Sequence, residues 1–124
     1  MKFYKCPICG NIVTMINDSG VTPHCCGVEM EELNANTVDA SLEKHVPVVE
    51  IEEQHLNVKV GSVPHPMTPE HHISFIALET TKGFRVNKIS DKLEAVTCFP
   101  LCKKETPIAV YEYCNLHGLW KVEL

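Results

Sequence analysis

The chain has 124 residues, 44% of them hydrophobic and 22% charged, and a formal net charge of −5. That length holds one ordinary domain, or a very small one beside a small one. The modest charged share argues against bulk disorder, and the acidic balance argues against a nucleic-acid binder, which needs a basic face, while leaving room for a small basic patch that steers an anion.

The N-terminus, MKFYKCPICG, has no apolar segment of the kind a signal peptide needs and reaches a cysteine at Cys6. No apolar run is long enough to span a membrane. Seven cysteines, an odd number, fit a disulfide framework poorly. Together these features predict a cytoplasmic protein, where clustered cysteines more often bind metal or do redox chemistry than cross-link. Residues 1–36 read as one unit. They hold Cys6, Cys9, Cys25 and Cys26 among the turn signals CPICGN, NDSG and CCG. So short a segment cannot bury a self-sufficient core, and a metal is the natural staple. CPICG is a Cys-x-x-Cys knuckle followed by glycine, because amides that turn toward thiolates often need a positive φ. Cys25 and Cys26 are adjacent, so in a strand they would point to opposite faces. Both can meet one ion only if the backbone bends, which Gly27 allows. Four thiolates suit tetrahedral iron or zinc, and a zinc knuckle that only holds the N-terminus together fits the spacing too. His24 reads as an exposed loop residue.

From Thr37 the texture changes. VPVVEIEE (46–53), HLNVKV (55–60), ISFIALET (73–80), FRVNKI (84–89), EAVTCF (94–99), IAVYEY (108–113) and LWKVEL (119–124) read as strands. They are rich in Val, Ile and aromatics, several alternate, and Gly, Pro or Asn separates most of them. No stretch has helical periodicity, and NANTVDASLEK (34–44) is the join. Residues 37–124 therefore predict an antiparallel β-sandwich, and the chain is all-β.

Within that sandwich, histidines and a cysteine fall beside rigid residues. PHPM pins His65 between two prolines, each of which fixes its own φ and restricts its predecessor. PEHHI supplies His71 and His72, which face opposite sides of an extended segment, so one of them ligates. EKHVP places His45 after Glu43 and Lys44. CNLHG gives Cys114 and His117 a Cys-x-x-His spacing with glycine after it. Four imidazoles and one thiolate exceed the four ligands of structural zinc. They leave a six-coordinate metal one open position, and iron suits that mix. Each histidine alone has a bland reading as a surface or hydrogen-bonded residue, the class that takes His55. Cys98 and Cys102, in CFPLC, flank a proline that suggests a turn, which would set them on either side of a hairpin, and buried unreactive thiols are the default there. A binding module with a zinc knuckle and a pure electron carrier remain competing readings of the composition.

CPICGNIV with CCG, then EKHVPV, KVGSVPHPM, EHHI and EYCNLHGLWK, resembles the desulfoferrodoxin family of two-iron superoxide reductases, over nearly the whole chain. The resemblance implies a small desulforedoxin-like domain with a four-cysteine iron centre, followed by an immunoglobulin-like sandwich with a second iron. Cys6, Cys9, Cys25 and Cys26 match the first centre. His45, His65, His71 and His117 match four equatorial ligands of the second, and Cys114 its axial thiolate. Glu43 and Lys44 match the glutamate that fills the vacant position in the oxidised state and the lysine that attracts superoxide. His72 falls where relatives have an aromatic residue. A rubredoxin-type electron donor and a homodimer are also implied.

Overall fold

A computed structural model describes all residues, 1–124. The chain divides into two compact units, Met1–Asn34 and Ala35–Leu124.

In the first unit, β1 (Phe3–Lys5), β2 (Ile12–Thr14) and β5 (Glu31–Glu32) form an antiparallel sheet of order β2-β1-β5, and β3 (His24–Cys25) pairs with β4 (Val28–Glu29) as a hairpin. Its buried side chains are few: Phe3, and a cluster of Tyr4, Cys6 and Met30 with Met15 and Cys25 against it. The bend at the second cysteine pair is real, and it is shared. Cys26 and Gly27 form the two-residue tip of the β3–β4 hairpin with φ of 54° and 74°. Two positive φ values in succession are what a right-twisted two-residue hairpin demands. The cysteine itself therefore takes half of the turn that the sequence reading placed on glycine.

The second unit opens with a single helical turn, α1 (Leu42–His45), before β6 (Pro47–Ile51), β7 (His55–Val60), β8 (Ile73–Thr80), β9 (Gly83–Lys88), β10 (Val96–Pro100), β11 (Pro107–Cys114) and β12 (Gly118–Glu123). All pairings are antiparallel. A three-stranded sheet of order β10-β7-β6 and a four-stranded sheet of order β12-β11-β8-β9 make an immunoglobulin-like sandwich. β7 alternates, with Leu56, Val58 and Val60 buried and Lys59 out, whereas the central strands β8 and β11 are buried along most of their length. Leu56, Val58, Val60, Ile73, Ile76, Leu78, Phe99 and Val110 form the core.

Three expectations change. The join at 34–44 is not featureless, because Leu42–His45 closes one turn through Val46 N–H to Leu42 O at 2.9 Å. Cys98 and Cys102 are exposed, not buried. Nor do they flank a hairpin. Pro100 ends β10, and the following loop leads to β11 in the other sheet. That loop is clamped by Glu105. Its carboxylate accepts two hydrogen bonds from Arg85 at 2.8 and 3.0 Å, one from Thr80 at 2.6 Å and one from Cys102 N–H at 2.8 Å.

Candidate metal centres

In the first unit the four cysteines converge, with all four Sγ atoms within 4.8 Å of one another. Cys9 and Cys25 stand 3.6 Å apart and Cys25 and Cys26 3.9 Å. The knuckle puts its amides on sulfur: Ile8 N–H and Cys9 N–H both reach Cys6 Sγ, at 3.4 and 3.5 Å. Gly10, at φ 80°, turns the chain after the knuckle. Those donors shape the ionisation of the set. The Cys9 amide, above all, brings Cys6 down to about 6. Hydrogen bonding with Cys9, followed by the other thiols, pushes Cys26 up to about 12. Four thiols this close cannot all ionise without a cation between them, and four sulfur donors fit a tetrahedral metal. His24 stays outside, exposed, with Nδ1 at 3.2 Å from Thr22 O.

In the second unit the ligand candidates come from separate elements: His45 ends α1, His65 and His71 lie between β7 and β8, Cys114 ends β11 and His117 lies in the turn before β12. The four imidazoles form a near-square. Ring centroids are 4.7 Å apart for His45–His65 and His65–His71, 5.1 Å for His71–His117 and 4.8 Å for His45–His117, against 6.5 Å across the His45–His71 diagonal. Cys114, fully buried, has its sulfur 3.8 Å from His117 Nδ1. That sulfur and one ring nitrogen each of His45, His65 and His71 all lie within 4.8 Å of one another.

The donor chemistry fits a cation at that centre. His45 Nδ1 donates to Ser41 O at 2.7 Å and His65 Nδ1 to Pro66 O at 2.6 Å. Carbonyls only accept, so each neutral ring keeps its lone pair on Nε2. Yet those two Nε2 atoms are 3.2 Å apart, and His117 Nδ1 is 3.0 Å from that of His45. Burial lowers His45 and His71 and brings His65 down to about 4, so protons do not bridge them at neutral pH. His71 Nε2 is buried with no hydrogen-bond partner. Lone pairs aimed at one another in a dry site call for a metal. Burial pushes the Cys114 thiol up, while the amides of Leu116 and His117 act against it.

Local structure explains the placement. β8 and β11 shift register between Tyr113 and Cys114, the kind of irregularity that re-aims a side chain. Gly118, at φ 78°, closes the β11–β12 hairpin and returns His117 beside Cys114. Two positioning residues escaped the sequence reading. Asn115 brackets His71: its side chain donates to Glu70 O at 2.9 Å and accepts from His72 N–H at 2.8 Å. Trp120, the single tryptophan, stacks on His45 at 5.0 Å and donates to His117 O at 3.2 Å. His72 turns away, with Nδ1 on Thr68 O at 2.9 Å, and His55 pairs with Glu52 at 2.8 Å. Glu43 is exposed and Lys44 half-buried on α1, and the Lys44 charge helps lower both His45 and His71.

Two family models match the chain: Desulfoferrodoxin over residues 37–123, and Desulfoferrodoxin, N-terminal domain, over residues 1–33. A desulfoferrodoxin of Syntrophotalea carbinolica is 49% identical over 125 aligned residues, covering 99% of this chain and 96% of its own. Among solved structures, the superoxide reductase from Treponema pallidum superposes with a TM-score of 0.84 at 35% identity, covering 98% of both chains. A superoxide reductase (1Fe-SOR) from Giardia intestinalis gives a TM-score of 0.56 at 34% identity and covers 66% of this chain and 99% of its own.

Proposed function

The chain belongs to the desulfoferrodoxin family, and we propose that it is a superoxide reductase with two iron centres, the second of which carries the reaction. The observation that carries this reading is the square of four imidazoles with the buried Cys114 thiol beside it, its sulfur within 4.8 Å of donor nitrogens of His45, His65 and His71. Cys6, Cys9, Cys25 and Cys26 hold the first iron, a position that zinc also fits. His45, His65, His71, His117 and Cys114 hold the second. Iron(II) there supplies the electron that, with two protons, converts superoxide into hydrogen peroxide.

The rest belongs to the protein's own residues. Three imidazoles, His45 and His65 buried and His71 half-buried, are kept neutral by their surroundings and offer lone pairs at neutral pH without first losing a proton. Held by the five donors, a six-coordinate iron would keep one position for substrate. Lys44 supplies positive charge on an acidic chain and raises the encounter rate with an anion, an effect that salt screens over a Debye length of about 8 Å at physiological ionic strength. Glu43, exposed on the same turn, would supply a carboxylate to the second iron in its oxidised state.

A small rubredoxin-type carrier returns the electron. In support, His65 lines an open cleft of about 280 Å³ with Lys59, Pro64, Lys92 and Leu93, a surface on which a carrier can approach a ligand of the second centre. The chain acts as a homodimer in the cytoplasm. Exposed Val48 and Val96 flank Lys59 across the outer face of the three-stranded sheet, which suits a contact between copies. Seven free cysteines suit a reducing compartment, and no helix is long and apolar enough to cross a membrane.

The test is an iron count with visible spectra before and after mild oxidation, followed by pulse radiolysis with superoxide and sedimentation on the same preparation. Two irons per chain, a second thiolate-to-iron band that Cys114→Ser abolishes, rapid oxidation by superoxide and the mass of two chains are expected. No iron at the second centre, or iron there that superoxide does not oxidise, would remove the reductase reading; a single iron confined to the second centre would remove only the first iron, and a single-chain mass would remove the dimer.

A further inference from the structure

We propose that Gly61 is a positioning residue for Glu43 and Lys44, acting through a strap, residues 61–63, that grips the α1 turn from outside. The inference rests on the roles given to those two side chains above.

The turn cannot hold itself. α1 has four residues, two backbone hydrogen bonds (Lys44 N–H to Ser41 O at 3.3 Å and Val46 N–H to Leu42 O at 2.9 Å), and no side-chain cap at Ser41. Helix nucleation is unfavourable and a lone turn has no propagation to offset it. Its geometry must come from its neighbours, and the contacts identify them. Val63 N–H donates to Glu43 O at 3.0 Å, and Ser62 Oγ reaches the same oxygen at 3.3 Å. Gly61 N–H donates to Val46 O at 3.2 Å. The peptide that bears Glu43 and Lys44 is thus held on one side at 43 and on the other at 46, where the β6–β7 ladder begins with Pro47 opposite Val60.

Only glycine permits this approach. Gly61 is buried, with φ of +79°. A Cβ there would stand 2.6 Å from Glu43 O, 2.6 Å from Val63 O and 2.8 Å from Lys44 C. All three are backbone atoms, so no side-chain rotation relieves the clash; the strap or the turn must move. The strap then runs through Pro64 into His65, whose Nε2 lies 3.2 Å from that of His45. One short segment therefore delivers a ligand to the second centre and fixes the acid–base pair beside it. Gly61→Ala should leave the ligand set able to bind iron while displacing the backbone from which Lys44 and Glu43 project.

The experiment uses iron-loaded, full-length wild type, Lys44→Ala and Gly61→Ala. Pulse radiolysis gives the superoxide encounter rate at several ionic strengths, and amide exchange is read at Val63. In Gly61→Ala the low-salt rate should fall about threefold to tenfold, with a salt dependence flattened toward that of Lys44→Ala, given steering effects of tenfold and more. The thiolate-to-iron band should persist, and the Val63 amide should exchange at least about tenfold faster as its bond to Glu43 O lengthens. Wild-type salt dependence in Gly61→Ala beside a flattened one in Lys44→Ala overturns the proposal and leaves the reductase reading intact. If Lys44→Ala itself matches wild type, the steering role fails first, and a slow Val63 amide in Gly61→Ala then overturns the strap. Should Gly61→Ala not fold, the wild type decides: a Val63 amide that exchanges as freely as a loop amide also overturns it.

Discussion

Glu112 sits on the inward face of β11 between Val110 and Cys114, fully buried, with both carboxylate oxygens unpartnered. Burial pushes its pKa up to about 9, so it is protonated at neutral pH. In the unfolded chain a glutamate titrates near about 4.3. The folded state therefore holds the proton more tightly, and the sign follows. Stability is full below about 4.3 and declines as pH rises toward the folded value, by up to about 1.4 kcal/mol per pH unit. Glu112→Gln removes the titration. Between pH 5 and 8 wild type should lose on the order of 3 kcal/mol that the glutamine variant keeps, read from denaturant midpoints at the two pH values. Parallel profiles would mean that the carboxyl finds partners. Glu112 gives no signal of its placement in the sequence, since β11 is buried on both faces from Ala109 to Cys114 and shows no alternation, and Asn115 and Trp120 give none either. Their roles lie in what they touch across the fold, Glu70 and His72 for one, His45 and His117 for the other.

Among elements, the loop between β10 and β11 depends on the Glu105 carboxylate. Its side chain is 1% exposed and accepts from Arg85, Thr80 and Cys102 N–H. Arg85 first, then Thr80 and the amide, hold it well below the usual carboxylate range. A depressed folded pKa stabilises above the unfolded value and stops doing so as pH falls through the folded one. Glu105→Gln should thus melt below wild type at pH 7, and the gap should begin to close once pH drops under about 4.3. Thermal melts at pH 7, 4 and 3 check this, and a gap constant with pH would assign the effect to packing. All seven strands of the sandwich were legible: a half-buried strand writes its period of two into the sequence, as in Leu56, Val58 and Val60, and the buried β8 and β11 read as short Val-, Ile- and aromatic-rich runs bounded by turn residues. α1 was not legible, since four residues contain about one turn and hence no periodicity. The turn exists because the strap at 61–63 holds it, a long-range cause. Exposure of Cys98 was open to the same alternation: its neighbour Phe99 is core, so Cys98 faces out.

The two units stand on different physical footings. Ala35–Leu124 buries a continuous apolar core from both sheets, while Met1–Asn34 buries little beyond Phe3, Tyr4, Cys6 and Met30. Both metal sites were visible in the sequence as sets, because rigidifying Pro and Gly stood beside spaced Cys and His. Which atom of each ring faces inward was not visible, since that depends on carbonyls such as Ser41 O and Pro66 O arriving from the backbone. A core so small cannot outweigh the conformational entropy of ordering its own residues, so in the first unit the metal substitutes for the missing apolar mass. That unit should be folded when loaded and unfolded when stripped, as small metal domains are. Cys9→Ser, or removal of the first metal by a thiol-specific chelator, should collapse the amide dispersion of residues 1–34 in NMR spectra. Protection at Leu56 and Val110 should remain within about twofold of wild type, because exchange there reports the sandwich core alone. A first unit that keeps its dispersed amides without metal would show that its few buried side chains suffice, and the staple argument would fail. Loss of protection in both units at once would show that the sandwich draws its stability from the first metal as well.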